Sequence, residues 1–512
     1  MLLTLTDRLG DWNPQLFREL KARLTGRKLL LATATSVVVQ GLLISAYSNS
    51  TCTKYVDSIV SRCVEYHWEI DWRPLFISES IILMLLLFAV GVYMLVADIV
   101  REQNRGTLNF IRLSPRSSQS ILLGKILGVP FLLYWGIAIA LPLHWVAAIA
   151  VGIDLGWVFS SYLMTAAFCS FFYLVFLLNA LLLPAPYQAI GASFVGCWGT
   201  SLYAAFLSWG FDWYELSYSG DSYWKWFSFS VGEELMLKTI WTVITFGVAA
   251  YWTWQALNRR FRNPYATLLS KGQSYWLTAS FQIWLLGWLW SSYDSFNNLT
   301  ELNKFAVMLP VSMINLGFFL MLVGAITPHR QILVDWARYR EASLPTAKGQ
   351  KMQDLVWGEK SPIGWAVTIN VAIVTAIWLP WLVAQVGVVS GGKVLAGMIL
   401  SANLIWIYAL LLQLFMLGET KSFRFRTGLL VSLLLSLPPL FLRVLEVKSA
   451  TLWMLTVFGS CWELLPQASL TSIVLSCFGQ ILAMIMIDWH LRQQLNQLGA
   501  STSKELLTDS KV

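Results

Sequence analysis

Residues 101–125, REQNRGTLNFIRLSPRSSQSILLGK, are a polar, basic stretch set between two long apolar runs, 75–97 and 121–151. A run of about 20 apolar residues is what a helix needs to cross a hydrocarbon core of about 30 Å, so the stretch reads as a short connection between two membrane spans. The rest of the chain repeats the pattern. Of 512 residues, 57% are hydrophobic, 14% aromatic and 12% charged, and the mean hydropathy is +0.60. The charged fraction is about half that of a soluble domain. The expected fold is therefore an all-α polytopic membrane protein.

Twelve candidate spans follow from the hydropathy pattern: 29–47, 75–97, 121–151, 157–181, 188–209, 235–257, 276–292, 305–327, 363–388, 394–417, 427–446 and 466–489. Charge placement orients them, because loops on the cytoplasmic side collect Lys and Arg. With the N-terminus inside, the cytoplasmic segments hold 26 of the 36 basic residues and the outer loops six. An even number of spans with both termini cytoplasmic is expected, in a bacterial cytoplasmic membrane. The net charge of +8 is accounted for by this topology and by contact with anionic lipid, without nucleic acid. Trp68, Trp72, Trp213, Trp224 and Trp226 lie at expected outer edges, where indole rings favour the interface.

Ahead of the first span, Asn13-Pro14 reads as an N-cap and first helical residue, and Leu16, Leu20 and Leu24 recur on one face with Arg18, Lys21 and Arg23 on others. Such a helix lies along the inner membrane surface, or packs on the protein's own loops. The N-terminal residues lack the cationic region and small-residue cleavage site of a removable signal, so the first span is expected to be retained. Within 101–125, Arg101–Arg112 can make three helical turns, Glu102 and Arg105 can pair at i, i+3, and Ser114-Pro115 can open the next span. Leu108, Ile111 and Leu113 offer an apolar face. A basic loop of this kind is also what an ordinary cytoplasmic connection looks like.

The order Glu102, Arg105-Gly106-Thr107-Leu108, Leu113, Pro115, Leu122-Leu123-Gly124-Lys125 resembles the hallmark of type-2 ATP-binding-cassette (ABC) permeases. The resemblance covers roughly residues 12–270. It implies an amphipathic elbow helix before span one, six spans, and an outer segment between spans five and six, here 210–234, which reads as a short re-entrant pair or as a surface loop. It also implies that the loop seats in an ABC ATPase subunit, which assigns a coupling role to Glu102, Arg105, Gly106, Thr107, Leu108 and Pro115. No G-x-x-x-x-G-K-[ST] phosphate loop occurs in the chain, so ATP and magnesium are expected in a separate partner subunit. The chain itself is expected to bind no cofactor or metal and to be no enzyme on its own.

Residues 271–512 form a second six-span domain after 1–270. Asn263-Pro264 echoes Asn13-Pro14, but the corresponding loop, 328–362, lacks the Arg-Gly-Thr-Leu and Leu-Gly-Lys elements. The half reads as a degenerate repeat or as an accessory module beside a homo- or heterodimerising first half. Asp335, Trp336, Arg338, Tyr339 and Arg340 read as a partner contact or a solvated helix face. Four histidines are scattered and no zinc spacing or H-E-x-x-H occurs. His144, within span three, is an intramembrane ionisable group or a neutral histidine bonded to a carbonyl. Asn179, Asn315, Gln413 and Gln480 line a path or join helices. Cys52 and Cys63 share the first outer loop, as a disulfide or as two free thiols. The sequence thus supports the permease subunit of an ABC exporter. An ion-coupled secondary transporter and a membrane scaffold or assembly factor stand as alternatives, the former weakened by few charges at mid-membrane.

Overall fold

The computed structural model describes residues 10–55, 63–183, 187–209, 211–212, 217–218, 224–290, 301–343, 348–417 and 423–499. These are mainly helical. Ten helices among the described residues are long and apolar enough to cross a membrane, and the chain is a multi-pass membrane protein. Its contacts divide it into two units, residues 1–225 with 229–264, and 226–228 with 265–512.

The first unit opens with α1 (Pro14–Arg23) and α2 (Gly26–Ala46), followed by an antiparallel ladder of β1 (Ser48–Tyr55) and β2 (Cys63–Ile70). In that ladder Cys52 faces Tyr66 and Cys63 faces Tyr55; the side chains of both cysteines lie outside the described residues. Then come α3 (Trp72–Asn104), α4 (Thr107–Arg112), α5 (Ser118–Gly128), α6 (Phe131–Val151), α7 (Leu155–Leu182), α8 (Gln188–Ser208) and α9 (Leu235–Arg262). Between α8 and α9 the described residues hold a small ladder of Phe211–Asp212 with Ser217–Tyr218 and no helix; residues 210, 213–216 and 219–223 of the expected outer segment lie outside the described residues.

The third expected span is shorter than the apolar run. Pro130 supplies no N–H and crowds the residue before it, so α5 stops at Gly128 and a fresh helix begins at Phe131. Lys125 is thereby placed on a separate entry helix. In α3 the residues Leu86–Gly91 take a π-helical turn, and the Leu87 carbonyl accepts the Tyr173 hydroxyl of α7 at 3.0 Å. Gly196 of α8 abuts the Phe88 carbonyl so closely that any Cβ there would collide with it. Phe88, Val92, Leu95 and Ile99 of α3 pack with Tyr173, Leu177, Tyr203, Leu257 and Phe261 in the core of this unit.

The second unit comprises α10 (Lys271–Trp290), α11 (Glu301–Ile326), α12 (Arg330–Ser343), α13 (Lys348–Trp357), α14 (Gly364–Ala384), α15 (Gly392–Met416), α16 (Phe423–Val444), α17 (Ala450–Thr456), α18 (Ser460–Leu464) and α19 (Leu470–Gly499). Two of the twelve expected spans, 276–292 on α10 and 427–446 on α16, are not among the ten long apolar helices. In α10 the reason is a polar stripe, Lys271, Ser274, Thr278 and Gln282, spaced at helical intervals and turned inward, with each residue at most 1% exposed. Thr278 and Ser274 bond the Asn370 amide at 2.6 and 3.0 Å, and Gln282 donates to Asn315 at 2.6 Å while accepting from Trp378 at 2.7 Å. Helices α14 and α15 double back on each other: Trp406 Nε1 donates to Thr368 Oγ1 at 2.9 Å. At the other sequence echo, Asn263 N–H completes the last turn of α9 on Arg259, and no helix starts at Pro264. Asn263-Pro264 therefore differs from Asn13-Pro14 in structure.

Candidate functional site

At the start of the first unit, the sequence builds an ion-pair cluster from three distant segments. Asn13 caps α1, its side-chain oxygen accepting from Leu16 N–H at 3.0 Å while its amide donates to the Ser120 carbonyl at 2.8 Å. That second bond ties α1 to α5. The fit is close: a Cβ at Gly124 would lie 2.7 Å from Leu16 N and 2.9 Å from Asn13 Oδ1, and one at Gly128 would lie 2.6 Å from Glu19 Cβ. The glycine of the Leu-Gly-Lys run is thus the seat of α1, since only a residue without Cβ admits the backbone this near.

Lys125, next in sequence, points into the gap between α1 and the end of α3. Its ammonium is 2.6 Å from Asp98, 2.8 Å from Glu102 and 3.9 Å from Glu19, and its side chain is 1% exposed. Arg23 bonds Glu19 at 3.0 Å and approaches Asp98 at 3.5 Å, while Arg18 reaches Glu19 at 3.3 Å and Glu102 at 3.5 Å. Glu19, Asp98 and Glu102 bring carboxylate oxygens within 4.8 Å of one another, spacing a metal ion could use. Here Lys125 holds the centre, and three side-chain cations match three carboxylates. The arrangement is an electrically balanced joint, because a buried charge is tolerated only when paired and hydrogen-bonded.

The joint holds the base of the 101–125 loop and leaves its tip bare. Helix α3 runs to Asn104, Gly106 turns the chain at φ +74°, and α4 follows. The break divides the expected three-turn helix 101–112, because a residue at that φ disrupts the right-handed helix and glycine does so without a Cβ clash. Ser117, and not Ser114, caps α5, its Oγ accepting from Ser120 N–H at 3.2 Å. Glu102 pairs with Lys125 and Arg18 instead of Arg105. Leu108 is buried and Ile111 packs on the core, so the expected apolar face of Leu108, Ile111 and Leu113 is divided. Leu113, 84% exposed, and Phe110, 83% exposed, project outward with Arg105, Gly106, Thr107 and Pro115. Phe110 is legible as the one aromatic of the 101–125 stretch; which face it takes depends on the break at Gly106.

Deeper in the same unit, His144 of α6 bonds two hydroxyls, Ser80 Oγ at 2.8 Å and Tyr162 Oη at 2.7 Å, and no carbonyl. Glu79, beside Ser80 on α3, is 2% exposed and neither of its carboxylate oxygens has a hydrogen-bond partner. Sequence reasoning passed over it, although an acid in an apolar span is a signal in itself. Asn315 and Gln480 join helices, through Gln282 at 2.6 Å and the Met454 carbonyl at 3.0 Å. Asn179 accepts from Gln188 at 3.2 Å, and Gln413 is buried with neither amide atom bonded. Of the 328–362 candidates, Trp336 donates to Asp354 at 2.9 Å and Asp335 is exposed; the side chains of Tyr339 and Arg340 lie outside the described residues. Searches against family models, curated proteins and solved structures return no match.

Proposed function

We propose that the chain is the transmembrane subunit of an ABC exporter in a bacterial cytoplasmic membrane, both termini inside, driven by an ATPase subunit in trans that supplies ATP and magnesium. One observation carries the reading. The elbow helix, Glu102 and Gly124-Lys125, separate in the sequence that resembles type-2 ABC permeases, converge on one buried joint, beside an exposed tip at 105–115. A stiff connector transmits a displacement where a slack one absorbs it. Glu102 and Leu108 hold the tip, and Arg105, Phe110 and Leu113 meet the ATPase. Phe110 and Leu113 are the exposed apolar side chains such a contact buries, the aromatic ring contributing most and the leucine adding buried apolar area.

The test is to purify the tagged chain in mild detergent, identify co-eluting proteins, and repeat with Arg105→Ala and Phe110→Ala/Leu113→Ala. An ATP-binding subunit retained by the parent and lost from the variants is the expected result; absence of an ATPase from the parent overturns the reading. Glu79 favours a second reading, ion-coupled transport, because an unpartnered acid in a spanning helix is the chemistry that proton coupling uses. Transport in proteoliposomes that needs an ion gradient, needs no ATP and fails in Glu79→Gln supports this alternative.

A further inference from the structure

The first unit holds a partly open cavity of about 450 Å3 between α3, α6, α7 and α8, the size range of small-molecule sites. Its wall is mostly apolar, as at Ile81, Met84 and Leu141, with hydroxyls and one imidazole set into it. Where those hydrogens go decides what can bind. Ser80 Oγ donates to the Phe76 carbonyl at 2.7 Å, Ser161 to Val158 at 2.7 Å, Thr165 to Ser161 at 2.7 Å and Ser208 to Ala205 at 3.0 Å. Because the Ser80 hydrogen is committed, its oxygen accepts from His144 Nε2 at 2.8 Å. A neutral imidazole carries one N–H, the form an apolar wall favours, so His144 Nδ1 accepts from the Tyr162 hydroxyl at 2.7 Å. The relay runs one way, from Tyr162 through His144 and Ser80 to the Phe76 carbonyl. Every hydrogen in it is spent, and because Trp145 also bonds the Tyr162 hydroxyl, one lone pair each on Tyr162 Oη and Ser80 Oγ is left over.

We infer that this cavity binds a lipid-like amphiphile whose headgroup donates hydrogen bonds, a hydroxyl or an ammonium, with Tyr162 Oη and Ser80 Oγ as its acceptors. A headgroup that only accepts, such as an ether or a carboxylate, finds no donor in this relay and loses its water without replacement, which is costly. As the path of a transported molecule the site rests on the exporter reading; as a binding site it stands apart from it. The ligand has two sources, the bilayer's own lipid or a separate hydrophobic molecule.

The full chain in phosphatidylcholine nanodiscs is photolabelled with a long-chain fatty alcohol bearing a diazirine, with its methyl ether, and with the matching fatty acid, and labelled peptides of α3, α6 and α7 are quantified. The alcohol is expected to label about fivefold more than the ether or the acid, the factor one net hydrogen bond gives. In Tyr162→Phe, which removes one of the two acceptors, the preference for the alcohol over the ether falls while ether labelling holds, showing an intact cavity. Replacing part of the phosphatidylcholine by phosphatidylethanolamine, whose ammonium donates, suppresses alcohol labelling if the occupant is bilayer lipid and leaves it unchanged if it is a separate molecule. Equal labelling by alcohol and ether in the parent, preference for the acid, or a preference undiminished in Tyr162→Phe overturns the inference. If Tyr162→Phe also loses ether labelling, Ser80→Ala decides, and an undiminished preference there overturns it. Labelling needs no ATPase, so this outcome is separable from failure of the exporter reading.

Discussion

Replacing Lys125 with methionine keeps the bulk of the side chain and removes the charge at the centre of the joint. Three carboxylates, with side chains only 9%, 19% and 16% exposed, are left facing two arginines. With their oxygens within 4.8 Å of one another, each pair repels by roughly 3.5 kcal/mol at an effective dielectric near 20. The cheapest relief is for one carboxylate to take up a proton, which restores charge balance. For an ordinary carboxylic acid this costs about 4 kcal/mol at pH 7 and about 1 kcal/mol at pH 5. That cost caps the damage and sets its sign: a proton bound by the folded variant and released on unfolding makes the loss shrink as pH falls. At about 2 °C per kcal/mol for a unit of this size, Lys125→Met lowers the Tm by about 8 °C at pH 7 and about 2 °C at pH 5. The assay is melting in detergent by intrinsic fluorescence, with parent and variant compared at each pH. Lys125→Met/Glu102→Gln, which removes the excess negative charge chemically, recovers most of the loss at pH 7. Equal losses at both pH values, or no rescue by the second substitution, refute the reasoning.

Gly124→Ala forces a Cβ to within 2.7 Å of the α1 backbone, costs about 1–3 kcal/mol as overpacking does, and exposes Arg18, Lys21 and Arg23 to trypsin faster than in the parent. Gly106→Ala meets no neighbour within 4 Å but must hold φ +74°, so it costs only about 1–2 kcal/mol and leaves trypsin cleavage in α1 unchanged. Phe110→Ala and Leu113→Ala, on groups 83% and 84% exposed, shift the melting temperature by no more than about 0.5 kcal/mol in equivalent stability while abolishing ATPase retention. Burial pulls the Lys271 ammonium down to about 8, with Asp354 acting against it. Above that pH the unfolded chain binds the extra proton, so the stability of the parent relative to Lys271→Met rises between about pH 8 and pH 10, checked by melting both proteins across that range.

The helical turn ahead of the first span was legible because Asn13-Pro14 and the leucine spacing are local signals, and α1 begins with the expected cap. The two spans in 363–417 were legible because hydropathy dips between them; that they form a hairpin follows from Trp406 meeting Thr368. The polar stripe of α10 is written in Lys271, Ser274, Thr278 and Gln282, but that it turns inward onto Asn370 and Asn315 depends on partners far away in the chain. Cys52 and Cys63 were placed in a loop, but they stand on paired strands whose register sets them opposite tyrosines.

By itself the sequence determined that this is a helical membrane protein with a short basic connector at 101–125. Length and apolarity of each run act residue by residue, and a backbone in hydrocarbon must bond to itself. Tertiary structure alone decided that Lys125 belongs to Glu19, Asp98 and Glu102 and that Glu102 turns inward to it. It also fixed the direction of the Tyr162–His144–Ser80 relay. These depend on partners tens of residues away, and a charge or a hydroxyl acquires its role only when packing excludes water and leaves it a particular neighbour.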